Sequence, residues 1–208
     1  TKIEEEKRQQ LVRESLEESI ADYGNSVLYS SARNEYMITR LDRLLNRTVW
    51  ALTEQLARGD FKPSAYEMSF GSGKIDRIDV CETQDEVYVK VIDYKTGRMG
   101  FDVSALYYGL QLQLMVYMNA ATDHMKKRYP GKQVIPSGVF YYRMKDPLLE
   151  KNGKADLEKR LLKELRPDGV VNLEQNSLEH LERERTGDSL AVPVKFNNDG
   201  SLAKVSRA

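Results

Sequence analysis

Cysteine is almost missing from this sequence. Cys81 stands alone among 208 residues, so no internal disulfide can form and a reducing, intracellular setting is the default. Histidine is limited to His124 and His180, and Ser, Cys and His are nowhere arranged for nucleophilic catalysis. No Gly-x-x-x-x-Gly-Lys-Ser/Thr loop is present, which argues against ATP binding. No apolar run approaches the roughly 20 residues that span a bilayer. No signal peptide opens the chain, which begins with the charged stretch Lys2 to Gln10. Net charge is missing too: 32 Lys and Arg balance 32 Asp and Glu, so only the distribution of charge can speak for or against a nucleic-acid partner. An initiator methionine is lacking and the chain stops at Arg207-Ala208; it reads as a piece of a longer polypeptide. Internal repeats and low-complexity segments are absent.

What is present is an ordinary globular composition, 40% hydrophobic and 31% charged, with length enough for a sizeable core. An amphipathic helix is predicted over about 3–23, with Leu11, Val12, Leu16 and Ile20 on one side. Gly24-Asn25 breaks it. A second helix is predicted from Ser30 or Ser31, either able to cap it, to about Ala57, with Met37, Leu41, Leu44, Leu45, Leu52 and Leu56 at helical spacing. Arg40, Arg43 and Arg47 lie on or beside its other face. After Pro63 the pattern changes to strands: 65–70, 74–81 and 87–94, an antiparallel meander with short turns. A long helix follows over 104–128, striped by Leu106, Leu110, Leu114 and Tyr117 and stopped by Pro130-Gly131. A strand lies within 134–143. Helices at 157–165 and 173–185 and a short edge strand at 192–196 complete a mixed α/β fold.

The chemistry concentrates on two strands. In Val91-Ile92-Asp93-Tyr94-Lys95-Thr96-Gly97, alternate side chains share a face, so Asp93 and Lys95 point the same way at a strand end before a glycine turn. Taken alone, that pair is equally well a cross-strand ion pair. The preceding strand, Gly73-Lys74-Ile75-Asp76-Arg77-Ile78-Asp79, puts Asp76 on a face shared with Ile78 and Val80, where an unpaired carboxylate is costly. If the two strands are hairpin neighbours, Asp76 and Asp93 converge. They then repel, and a divalent cation removes the conflict. Oxygen ligands favour Mg²⁺ or Mn²⁺ over zinc. A lysine beside such a site can polarise water or steady a developing oxyanion on phosphorus. Asp79, three residues from Asp76, points to the other face and is read as an ion pair with a basic neighbour such as Arg77 rather than a metal ligand.

Three motifs in order, Gly-x-Ile-Asp-Arg-Ile-Asp, Ile-Asp-Tyr-Lys-Thr-Gly and Gln113-x-x-x-Tyr117, resemble the PD-(D/E)XK nuclease superfamily in its RecB-like branch. The stretches Tyr107-Tyr108-Gly109-Leu-x-Leu-Gln113, Pro136-Ser-Gly138-Val-Phe-Tyr, Lys145-Asp146-Pro147 and Val192-Pro-Val-x-Phe carry it further, to the C-terminal nuclease domain of AddB type. The likeness spans roughly 30–205. It implies a restriction-endonuclease-like α/β core over 63–146, with N-terminal helices over 1–62 and a C-terminal α/β extension over 147–208, one nuclease domain overall. It implies Asp76, Asp93 and the Tyr94 backbone carbonyl as metal ligands, Lys95 as the catalytic lysine, and Gln113 and Tyr117 as supporting or DNA-contacting residues. Glu67 is a further candidate acid, a surface or structural role being its alternative. RecB-like enzymes often place a histidine ligand on an early helix; none precedes Asp76, and Glu35 is the residue that would take that space. The implied activity is Mg²⁺-dependent (or Mn²⁺-dependent) exonucleolytic hydrolysis of DNA during double-strand break repair by recombination. The implied partners are DNA and an AddA-type helicase–nuclease subunit, in the bacterial cytoplasm, with no membrane. A catalytically silent DNA-binding or docking module and a free-standing RecB-like nuclease are the alternatives.

Two departures stand out. AddB-type domains hold a 4Fe–4S cluster with four cysteines, one before the domain and three after it; with Cys81 alone, on a strand and read as a small apolar residue, this chain cannot form it. The compact Gly71-Ser72-Gly73 also stands where the family has a longer connection and reads as an engineered linker. Both suggest a trimmed piece that displays the site without being active alone. Elsewhere, Lys126-Lys127-Arg128 suits a helix C-terminus as well as DNA. From Lys95 to Asp146 there are eight Lys and Arg against three Asp and no Glu, compatible with a surface that follows phosphates. Tyr107, Tyr108, Phe140, Tyr141 and Tyr142 are expected in the core rather than on a base-stacking platform.

Overall fold

A computed structural model describes residues 4–22, 31–71, 73–97, 100–149, 154–204 and 206. The expected break at Gly24-Asn25, the alternative cap Ser30 and the middle residue of the expected linker, Ser72, lie outside them.

Two helices come first, α1 (Glu5–Asp22) and α2 (Ala32–Leu56). They pack together, with Val12, Leu16 and Ile20 of α1 buried while Leu11 stays exposed. Ser31 is the cap of α2, its hydroxyl accepting from the Asn34 N–H and so satisfying one of the free donors of the first turn. The apolar stripe of α2 is buried only toward its C-terminal half; Met37 and Leu41 are exposed. Arg43 and Arg47 both reach Asp146, and Arg47 also donates to the Pro147 carbonyl. These bonds fasten α2 to the end of a strand nearly a hundred residues away.

The sheet follows: β1 (Lys62–Phe70), β2 (Gly73–Glu82), β3 (Glu86–Lys95), β4 (Gln133–Arg143) and β5 (Asp168–Val171), in that spatial order. The expected meander is present, since β1, β2 and β3 pair antiparallel through short turns. Between β3 and β4 the chain crosses over through α3 (Val103–Tyr107) and α4 (Gln113–Arg128). A crossover of that length allows the parallel pairing that β3 and β4 adopt. The sequence predicts one helix here. The structure divides it at Tyr108–Leu112, where Gly109 takes a left-handed φ of 76° that a residue with a Cβ adopts reluctantly. The expected stripe is split with it: Leu114 and Tyr117 are buried, but Leu110 is exposed.

β5 is a strand that the pattern does not predict. Four residues following Pro167 read as a turn, yet they pair antiparallel with β4 from Gly138 to Tyr141. Then come α5 (Lys154–Glu164), which precedes β5, α6 (Gln175–Leu181), and a small hairpin of β6 (Gly187–Asp188) and β7 (Lys195–Phe196).

The sheet separates two apolar layers. On one face Ile78, Val87, Val89, Val91, Val139 and Tyr141 meet Leu114, Met118, Ala121 and Met125 of α4. On the other, Tyr88, Ile92, Phe140 and Tyr142 meet Phe61 and the C-terminal residues Leu178, Leu181, Val192, Val194 and Phe196. The C-terminal extension therefore shares the core of the sheet. A buried carboxylate binds it further: Glu182, fully buried, takes the Arg58 Nε on both oxygens and the Ser189 hydroxyl on one.

Candidate active site

The β2–β3 ladder runs from Glu82↔Val87 to Arg77↔Ile92 and stops there. One step further, Asp76 would stand opposite Asp93. The edges of β3 alternate: the Lys95 carbonyl accepts from Met144, beyond β4, whereas the Tyr94 N–H points toward β2. That N–H finds the carboxylate of Asp76 (Tyr94 N to Asp76 Oδ2, 2.8 Å) in place of a main-chain carbonyl. A side chain thus caps the ladder where the strands part. Because a residue's N–H and C=O leave an extended strand on the same edge, the Tyr94 carbonyl faces the same gap. The Asp76–Asp93 position is of the non-hydrogen-bonded kind, in which opposed side chains approach most closely.

Asp93 lies on the α4 face of β3, its side chain 4% exposed. Burial pushes its carboxyl above the usual carboxylate range; the Lys95 hydrogen bond and charge pull it back, and the Asp76 carboxylate pushes it up again. The two acids are therefore close enough to disfavour each other's charge. Asp93 Oδ2 is buried without a partner at hydrogen-bonding geometry, although the Lys95 ammonium stands 2.5 Å from it. The contact is an ion pair whose angle satisfies the charge of that oxygen but not its lone pairs. Burial lowers the Lys95 ammonium's pKa, but the hydrogen bond and charge of Asp93 more than offset this, and it is held above its ordinary value.

Helix α4 supplies the next layer. Gln113 Oε1 accepts from Lys95 Nζ at 3.4 Å, and Gln113 Nε2 donates to the Tyr117 hydroxyl at 2.6 Å. The i and i+4 spacing puts both on one helix face, and Tyr117 is wedged edge-on against Phe70 of β1, ring centroids 5.6 Å apart. A chain Asp93–Lys95–Gln113–Tyr117 results.

Two neighbours were missed by sequence reasoning. The parallel register sets Tyr141 beside Asp93 and Arg143 beside Lys95. The Lys95 ammonium lies 5.3 Å from the Tyr141 ring centroid, a cation–π distance. Nothing in the sequence around Tyr141 or Arg143 signals this; only the pairing of strands 40 or more residues apart does.

The remaining acids fall elsewhere. Glu35 is exposed in the first turn of α2. Glu67 is exposed on β1, at a left-handed φ of 51° that is uncommon outside glycine, in an ion pair with Lys74. Among the described residues, no group of three or more His, Cys, Asp or Glu is placed to hold a metal ion. Asp79 is on the opposite face, fully buried, bonded twice by Arg77 (2.6 and 2.9 Å) and by Lys90 at 2.9 Å; Arg77 also donates to the Tyr94 hydroxyl. The expected ion pair is what the structure shows.

The donors available to a cation are thus two carboxylates and a carbonyl, a hard oxygen set suited to Mg²⁺ or Mn²⁺, and the buried, half-satisfied Asp93 Oδ2 is an atom that a cation would complete. The same test fails for an iron–sulfur cluster: Cys81 is the one cysteine, it is buried, and burial pushes its thiol up to about 11.

These features define a nuclease fold class, and comparison with known proteins agrees. A family model of the PD-(D/E)XK nuclease superfamily matches residues 1–195, and the chain belongs to that superfamily. Among curated proteins, it is 39% identical over 98% of its length to the B subunit of the ATP-dependent helicase/deoxyribonuclease of Lachnoclostridium phytofermentans. The B subunits of the same name from Clostridium tetani and Alkaliphilus metalliredigens are 34% and 32% identical over 98% and 99% of the chain. The chain spans about a fifth of the length of these relatives. No described helix is long and apolar enough to cross a membrane.

Proposed function

We propose that this chain is the DNA-hydrolysing domain of an AddAB-type helicase–nuclease, with Asp76, Asp93 and the Tyr94 carbonyl as metal ligands and Lys95 as the catalytic lysine. The observation that carries the reading is the parted ladder, where two carboxylates face each other beside a lysine held by Gln113. A bound Mg²⁺ or Mn²⁺ would supply Lewis acidity toward the phosphodiester. The residues do the rest. Asp93 and Asp76 concentrate negative charge where a cation is needed. Lys95 brings a donor and a positive charge to the place where phosphorus gains negative charge. Gln113, itself fixed by Tyr117, keeps the flexible lysine side chain in one orientation, which lowers the entropy cost of using it.

The names of the relatives support DNA as substrate and a second, AddA-type subunit as partner in the bacterial cytoplasm, with exonucleolytic processing of double-strand breaks as the setting. A catalytically silent binding module is the second reading, favoured by the absence of a third acid near Asp76 and Asp93 among the described residues. Incubating the chain with linear DNA and Mg²⁺ or Mn²⁺ separates the two. Cleavage lost on chelation, and reduced at least a hundredfold by Asp93→Ala and by Lys95→Ala, supports the nuclease. Metal-dependent cleavage indifferent to both substitutions overturns the assignment.

A further inference from the structure

The turn between α3 and α4 carries an unexpected surface. Tyr107 and Tyr108 are 85% and 76% exposed, and Leu110, Leu112 and Val116 are exposed beside them. These are not core residues, contrary to their sequence pattern. The two tyrosine rings sit edge to face, centroids 5.4 Å apart. The turn is firmly built: the Gln111 side chain accepts from the Asp102 N–H and donates to the Gly100 carbonyl, and the Phe101 N–H is held by Asp168. Ordered exposed aromatics on a braced turn cost apolar surface in water and gain nothing for the fold.

Their position is specific. The turn leads directly into Gln113, the residue bonded to Lys95; Tyr108 is five residues from it, within about 18 Å even for an extended chain. No charged residue lies between Asp102 and Asp123, so the turn is a neutral patch. At its edge the strand ends present two cations, Lys95 and Arg143, side by side in the parallel register. A neutral aromatic ledge next to paired cations matches a polymer with flat faces on one side and phosphates on the other. A protein partner would meet the same apolar patch but has no use for two cations at the mouth of a phosphodiester-cleaving site.

We propose that Tyr107 and Tyr108 are positioning residues on which unpaired bases of single-stranded DNA stack, while Lys95 and Arg143 receive its backbone. The proposal rests on the nuclease reading for its location. The test reads binding only, so that the two can fail separately. Fluorescently labelled oligo(dT) and an abasic oligonucleotide of equal length and charge are titrated with the 208-residue chain in EDTA, where cleavage does not intervene. Tyr107→Ala and Tyr108→Ala should each weaken oligo(dT) binding about tenfold or more. Binding of the abasic strand should stay unchanged, and Tyr108→Phe should bind oligo(dT) like the parent. Equal affinity of parent and alanine variants for oligo(dT), or an equal loss on both oligonucleotides, overturns stacking. The first of these results would instead suit a protein-docking patch. If stacking holds while Asp93→Ala leaves metal-dependent cleavage intact, the ledge survives and the nuclease assignment falls.

Discussion

One substitution made at two places on the β2–β3 hairpin should have opposite consequences. Asp79→Asn removes the carboxylate that serves both Arg77 and Lys90, whose side chains are 4% and 14% exposed. Neither cation can reach water without unpacking the face where Tyr88, Ile92 and Phe140 are buried. Breaking such a pair costs about 3–5 kcal/mol, because an uncompensated buried charge is left behind. For a chain of this size that is a fall in Tm of roughly 6–20 °C. Asp93→Asn also removes a buried carboxylate, but its partner Lys95 is 25% exposed and can rehydrate. The charge removed there is one that burial and Asp76 already disfavour. The expected change is within about 1 kcal/mol, of either sign. Urea unfolding of parent and both variants measures the difference through the midpoint, the slope staying constant if the unfolded surface is unchanged. Equal losses in the two variants would refute the argument that one face of the hairpin is organised for stability and the other for chemistry.

Acid should act through the same network. Burial opposes ionisation of Asp79, but Lys90 and Arg77 prevail and hold it below the usual carboxylate range. A carboxyl lowered on folding contributes stability that is complete above its unfolded pKa, about 3.9, and is lost as pH falls through its folded value; Asp79→Asn should flatten that acid limb in a pH series of unfolding midpoints. Gly169→Ala should destabilise by about 1–3 kcal/mol, since a Cβ there would meet the Val139 carbonyl at 2.0 Å; a midpoint unchanged in urea would show that β5 is not needed in the sheet. Tyr117→Phe should cost no more than about 1 kcal/mol of stability, the worth of one hydrogen bond, yet slow DNA cleavage by loosening Gln113 and with it Lys95. Equal kcat in parent and variant would remove Tyr117 from the positioning chain.

Much of this protein is written locally. Period-two alternation puts Asp93 and Lys95 on one face and sends Asp79 to the other, and the short β2–β3 turn makes those strands neighbours, so the facing of Asp76 and Asp93 follows from sequence and pleat alone. The helical pair Gln113 and Tyr117 is equally local. What sequence could not supply depends on contacts between distant segments. Arg143 and Tyr141 reach the site through a parallel register that only the α3–α4 crossover fixes. β5 becomes a strand because β4 offers it an open edge, not because four residues after a proline favour one. Tyr107 and Tyr108 carry a core-like pattern but are turned outward by the left-handed Gly109 turn. Hydrophobic periodicity records which residues can be buried; packing decides which of them are.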